Sequence, residues 1–314
     1  MIAVSPLRLK LMKCPASRPQ TTAPPPIVCA RVLGHLLRLA PTANPQEQLQ
    51  REISGAKDNV MLMVLAGIYV RDFLHVFKRS NGPTPAPSVN PSRPSVKDSH
   101  EHSKLLMEEC NLDHRAARDA AMKRDDYHCL ITGWRDWKHG GSADVEAAHI
   151  IPASTNKNIG QDGKKFHHSV GVWTILSMFT NINIIRDFSG NRIHRLENII
   201  SMNHYCHTLF DNLCLWLKPV EGVSHTYDVH VARMELKVNQ KIPERVTFST
   251  KTDYPLPHHQ LLALHALCCE VAWMSGAAEY LEVIGRRMED IKVLSNDGSM
   301  ADLLSRALAL VEVF

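Results

Sequence analysis

Apolar positions recur at helical spacing over residues 49–79, around Leu49, Ile53, Val60, Val64, Ile68 and Phe73, which predicts a helical segment. The longest uninterrupted apolar run, residues 60–70, ends at Arg71 and Asp72. It falls short of the roughly 20 residues that span a bilayer, so a buried helix is expected and a membrane is not. Pro83, Pro85, Pro87, Pro91 and Pro94 follow among Ser and Asn. Prolines this dense fix φ and remove N–H donors, so residues 80–99 read as an extended linker. Helical spacing returns over residues 101–125 through Leu105, Leu106, Cys110, Ala117, Ala121 and Met122. Residues 128–132 then read as a short strand stopped by Gly133, and residues 144–151 as a second strand stopped by Pro152. Their connection of about ten residues predicts an antiparallel pair.

Past Pro152 the signals alternate. Residues 156–169 are polar and read as a loop, and residues 170–180, with Trp173, Leu176 and Phe179, as a helix. Residues 196–212 are expected to begin extended and turn helical; residues 213–218 and 226–231 alternate like strands. Weaker strand signals lie at 234–238 and 245–250, and residues 260–287 and 300–314 are strongly helical. The expected layout is a tail over 1–48, a helical segment over 49–79, the linker, a main domain over 100–250 and a C-terminal helical extension over 251–314. The expected fold class is α+β.

Composition changes this picture little. A chain of 314 residues can bury an ample core. The first 46 residues carry Arg8, Lys10, Lys13, Arg18, Arg31 and Arg38 without an acid, around Pro24, Pro25 and Pro26. That pattern predicts an unstructured or targeting-like tail. The eight cysteines show no CxxC pair, which argues against a disulfide framework or a four-cysteine zinc site and for a reducing compartment. An intracellular place is expected, nucleus or cytoplasm, with the basic tail leaving the mitochondrion open. A net charge of +4 permits a polyanionic partner without demanding one.

The chemistry concentrates in one ordered set. Glu146-Ala147-Ala148-His149-Ile150-Ile151-Pro152 ends a strand on a histidine; Asn198 lies 49 residues on, and His207 nine beyond that. Hydrolysis of a phosphodiester needs a base for water, positive charge on the phosphate and help for the leaving oxygen. A neutral histidine suits the first task. A divalent ion suits the other two.

The run from Lys123 to Gly133, then Glu146 to Pro152, then Glu197-Asn198-Ile199-Ile200-Ser201-Met202, then His207-Thr208-Leu209-Phe210-Asp211 resembles the HNH endonuclease family. It looks most like a branch with an AAHI-P and an H-x-x-F-D motif that occurs in many fungal proteins. The resemblance covers about residues 115–235 and implies a ββα-metal core with an inserted helix, extra strands and flanking helices. It implies His149 as general base, Asn198 as positioning residue and His207 as a ligand of Mg²⁺, with Mn²⁺ or Zn²⁺ as further candidates. Asp211 is a second ligand candidate, one helical turn past His207, and His204 lies one turn before it. Many relatives place Asp or His just before the base as a ligand, where this chain has Ala148.

Around that set, Lys157, Lys164, Lys165 and Arg192 fall in a net-basic insert and are candidate DNA contacts. The ordinary reading of such lysines is a solvated loop. Two other readings stand beside the DNA endonuclease: a catalytically silent HNH-like scaffold, which Ala148 favours, and a small-molecule cyclase or isomerase of fungal secondary metabolism on the same fold.

Overall fold

Proline starts structure at the N-terminal end instead of preventing it. In the computed structural model, which describes residues 23–78, 114–156, 164–238 and 240–292, helix α1 runs Pro26–Leu39. Pro26 sits where a helix needs no N–H and where φ near −65° is already correct. Val28, Cys29, Val32, Leu33 and Leu36 share its buried face. Helix α2, Ala43–Ser54, follows. Residues 26–48, expected as tail, are therefore largely helical. The spacing of Val28, Val32 and Leu36 carried that signal behind the prolines.

Helix α3, Asn59–Tyr69, starts at Asp58, whose carboxylate accepts from the Met61 N–H at 2.8 Å. Val60 and Val64 face outward, 62% and 51% exposed, whereas Leu65, Ala66, Ile68 and Tyr69 are buried. Arg71 and Asp72 do not close the helix. They lie in a π-helical turn, Val70–Leu74, that carries it on to Phe77. Both are buried, with the Arg71 guanidinium donating to both carboxylate oxygens of Asp72. Asn59–Phe77 is thus 19 residues long, and by length and composition it is apolar enough to cross a bilayer. That corrects the length read from residues 60–70 alone. Its packing against α1 and against helix α5, Lys164–Met178, is that of a core helix, and 56% of its most apolar window is buried.

The central sheet differs from the sequence reading in its partner. Helix α4, His114–Arg124, leads into two successive residues of positive φ, Asp126 at 49° and Tyr127 at 58°. A tight turn follows, closed by Gly133 N–H to the Cys129 carbonyl at 2.8 Å. Residues 128–132 are consequently a turn, not a strand. Strand β1, Val145–His149, pairs antiparallel with β2, Ile199–Asn203, from Val145↔Asn203 to His149↔Ile199. Every β2 residue is buried, so it offers the apolar neighbour that the turn cannot.

Helix α7, His204–Asp211, leaves β2 directly. The Asn203 side chain caps it, accepting from Cys206 N–H at 2.8 Å. The core is therefore strand, strand, helix, with α5 and α6, Ile184–Phe188, inserted between the strands. Helix α5 begins inside the stretch read as a loop. Strands β3 (Leu215–Pro219), β4 (Thr226–Val231) and β5 (Arg245–Thr247) make a second antiparallel sheet. Between the last two, Glu235–Val238 is the short helix α8, where a strand was expected.

Helix α9, His259–Ser275, is buried on most of its surface and packs on β3 and α1. Gly276, at φ 81°, turns the chain by 90° into α10, Ala277–Lys292. The fold is α+β: α9 packs on β3 and reaches α7 through His265 against Phe210, and the N-terminal helices pack on α9 and α5. The linker over 80–99 and the helix expected over 300–314 lie outside the described residues.

Candidate active site

The register of β1 on β2 determines what meets at its end. Ile150 N–H donates to the Asn198 carbonyl at 2.8 Å, one step past the His149↔Ile199 pair. The Asn198 side chain is fully buried and does the rest. It accepts from Ile151 N–H at 2.8 Å and donates to the carbonyls of Ile151 at 3.0 Å and Ile193 at 2.8 Å. One amide thereby fixes the backbone just after His149 to the backbone just before His194. Arg124 braces the same corner from below, donating to the carbonyls of Leu196, Ile199 and Pro255 while its neighbour Asp125 neutralises it.

His149 is half-buried, and its Nε2 lies 3.0 Å from His194 Nδ1. The ring of His114, in the first turn of α4, stacks on His149 with centroids 5.3 Å apart and 12° between planes. Burial first, then the neighbouring His194, His114, Arg118 and His207, push the His149 pKa from its ordinary 6.5 down to about 3. The ring is neutral at working pH. A neutral imidazole has one N–H and one lone pair.

His207 stands in the opposite electrostatic setting. Its Nδ1 lies 2.7 Å from Glu146 Oε1 and its Nε2 3.2 Å from Asp211 Oδ2. Burial opposes the charged ring, but the two carboxylates outweigh it and raise the pKa. The same contacts lower the pKa of Glu146 against its own burial. His204 Nδ1 reaches the same Glu146 oxygen at 3.1 Å from a more exposed position. The geometry follows from β1 and α7: His204 N–H donates to the Asp144 carbonyl, which sets the first turn of the helix beside Glu146.

His149, Asn198, His207 and Asp211, named from sequence, therefore all belong to this corner. Glu146 was quoted in the motif without a role, and the strand's own period could have supplied one. Residues 146 and 148 share a face of a strand, so Glu146 brings a carboxylate to the side on which Ala148 brings none. His114 and His194 had no local signal. Of the proposed DNA contacts, Lys157 lies outside the described residues, as do the side chains of Lys164 and Lys165, which open α5. Arg192 donates to the Arg186 carbonyl and shares a 3-10 turn with His194. A cleft of about 470 Å³ instead runs between α4 and the start of β1, lined by His114, Arg115, Arg118, Lys138, Tyr127 and Glu146.

Two strands and a helix present a buried Asn between a neutral and a carboxylate-held histidine, a ββα element. Residues 129–215 match the family model described as HNH endonuclease. No curated protein and no solved structure matches the chain.

Proposed function

We propose that the HNH-type domain is a divalent-metal-dependent endonuclease that hydrolyses DNA phosphodiester bonds with His149 as general base. The observation that carries this reading is the contrast between the two rings. His149 is neutral and held at a strand end, whereas His207 is gripped on both nitrogens by carboxylates. We assign the Nε2–H of His149 as the donor to His194, which leaves the lone pair on Nδ1 to take a proton from water. Asn198 is the positioning residue, since its three bonds hold the backbone on either side of that contact.

His207 with Glu146 on its Nδ1 side, or with Asp211 on its Nε2 side, offers an imidazole and a carboxylate that fit a hard or borderline divalent ion such as Mg²⁺ or Mn²⁺, with Zn²⁺ as a further candidate. The proton that these carboxylates stabilise on His207 marks a place that already favours positive charge. When bound there, such an ion would supply charge for the phosphate and for the departing oxygen. Arg118 and Lys138, at the walls of the cleft, are suited to backbone phosphates on either side of the scissile bond.

The test is plasmid nicking by the full chain in Mg²⁺ or Mn²⁺, beside His149→Ala. The variant is expected to fold and to leave supercoiled DNA intact. Cutting by the variant at the wild-type rate overturns the base assignment. A wild-type chain that binds metal through His207 yet never nicks DNA points to the silent scaffold or the small-molecule enzyme.

A further inference from the structure

We infer that His114, His149 and His194 form a second metal site, selective for Zn²⁺ and similar imidazole-seeking ions, whose occupation switches off the base. The nuclease part of this inference rests on the function proposed above; the metal part does not. One nitrogen from each of the three rings lies within 4.8 Å of the other two, and they are the only His, Cys, Asp or Glu group among the described residues that meets that condition. By contrast, Glu146 and Asp211 hold opposite nitrogens of His207 and point at different places.

Two of the ligand atoms already sit at the right separation. His149 Nε2 and His194 Nδ1 are 3.0 Å apart; two imidazoles on one tetrahedral zinc, each about 2.0–2.1 Å from it, place their nitrogens about 3.3 Å apart. Asn198 fixes the backbone beside both, so the pair is set before any ion arrives. His114 supplies the third ligand. It is exposed, sits in the first turn of α4 and stacks on His149, so a side-chain rotation turns its nitrogen toward the pair. His114 also lines the neighbouring cleft. An all-imidazole set suits zinc, cobalt, nickel or copper ions and is poor for Mg²⁺, which takes oxygen donors.

The consequence for the base follows from the tautomer. Ligation at Nε2 leaves the single N–H of neutral His149 on Nδ1. That nitrogen then has no lone pair for water. Mg²⁺ at the carboxylate site and Zn²⁺ at the histidine site thus act in opposition.

Co²⁺ replaces Zn²⁺ as a visible probe, because tetrahedral imidazole-bound cobalt absorbs far more strongly than octahedral, oxygen-bound cobalt. The full-length wild type is expected to show the tetrahedral bands, and excess Zn²⁺ to remove them. His114→Ala, a change on an exposed ring, and His194→Ala are each expected to weaken Co²⁺ binding at least tenfold and lose the bands, whereas His207→Ala keeps them. In nicking assays supported by Mg²⁺, Zn²⁺ is expected to inhibit the wild type, and His114→Ala to need at least tenfold more Zn²⁺. Absence of the bands in wild type, or their survival in both His114→Ala and His194→Ala, overturns the site. His114-dependent bands in a chain that never nicks DNA leave the metal site standing and remove the nuclease reading; His149-dependent nicking without the bands does the reverse.

Discussion

His149 and His265 have the same depressed pKa, about 3, and opposite meanings. His265 is fully buried in α9, its ring stacked on Phe210 at 3.6 Å and edge-on to Phe77. Its Nε2 donates to the Phe210 carbonyl at 3.3 Å, and the Cys269 thiol lies 3.7 Å from the ring. Burial sets its shift against the opposing hydrogen bond to Phe210, and the polar atoms of the ring are satisfied from within the core. His149 is only half-buried, and part of its shift comes from Arg118 and three other histidines. A neutral ring is therefore common to core packing and to catalysis. What separates them is whether a lone pair opens onto a place where substrate and positive charge can gather. On the proposed function, His149 is of the second kind and His265 of the first.

The largest expected effect tests that separation directly. His149→Ala is expected to lower nicking by about 10²–10⁴-fold, the usual contribution of a general base, with an unchanged melting temperature within a few degrees. His265→Ala is expected to do the opposite. Removing a stacked core ring costs about 3 kcal/mol by analogy with buried aromatic truncations, while nicking well below the melting transition stays at the wild-type rate. Thermal melts and plasmid assays on the two variants check both. Equal losses of activity in the two would erase the distinction drawn between them.

Asn198→Ala comes next and mixes the two effects. It leaves Ile151 N–H and the Ile151 and Ile193 carbonyls without their side-chain partner, at about 1–3 kcal/mol for buried groups left unsatisfied. Because those groups flank His149 and His194, kcat should fall more than substrate affinity. A drop in stability with kcat intact would make Asn198 structural only. Glu146→Gln is expected to be smaller and purely local. It removes the charge at 2.7 Å from His207 and should weaken Mg²⁺ or Mn²⁺ binding by about 10- to 100-fold, the range typical for lost support around a metal. Calorimetric titration of the metal reads it.

Much of the site was legible because its signals are local. An apolar run stopped by Pro152 gave β1, alternation gave β3 and β4, and helical spacing placed Asp211 a turn past His207. Glu146 was legible in principle from the strand period that exposes the gap at Ala148. The pairing of β1 was not, because its partner lies about 50 residues away in the chain, and loop closure over such lengths depends only weakly on length. Nearness in sequence misled there, as residues 128–132 carry strand-like side chains but a turning backbone at Asp126 and Tyr127. His114 and His194 are brought to His149 by α4 and by the 3-10 turn over Gly190–His194, which no motif encodes. In the helical shell, Arg71 and Asp72 looked like a helix end because each alone is a surface residue; paired, their charges cancel and the helix can continue through the core.

The smallest effect concerns acid. His265 has a folded-state pKa near 3 against an ordinary 6.5, with burial as the cause. Above pH 6.5 the ring is neutral in both folded and unfolded chains, so its burial costs nothing in protonation. As pH falls below that value the unfolded chain binds a proton that the folded core refuses, and stability drops until pH approaches 3. The slope from one such group is at most about 1.4 kcal/mol per pH unit. His265→Phe keeps a ring against Phe210 and removes the titration. Urea midpoints taken from pH 7 to pH 4 should therefore fall less steeply in the variant than in the wild type, whatever its stability at neutral pH. Parallel pH profiles would mean that His265 takes up its proton in the folded chain as readily as in the unfolded one, and its likeness to His149 would then end at burial.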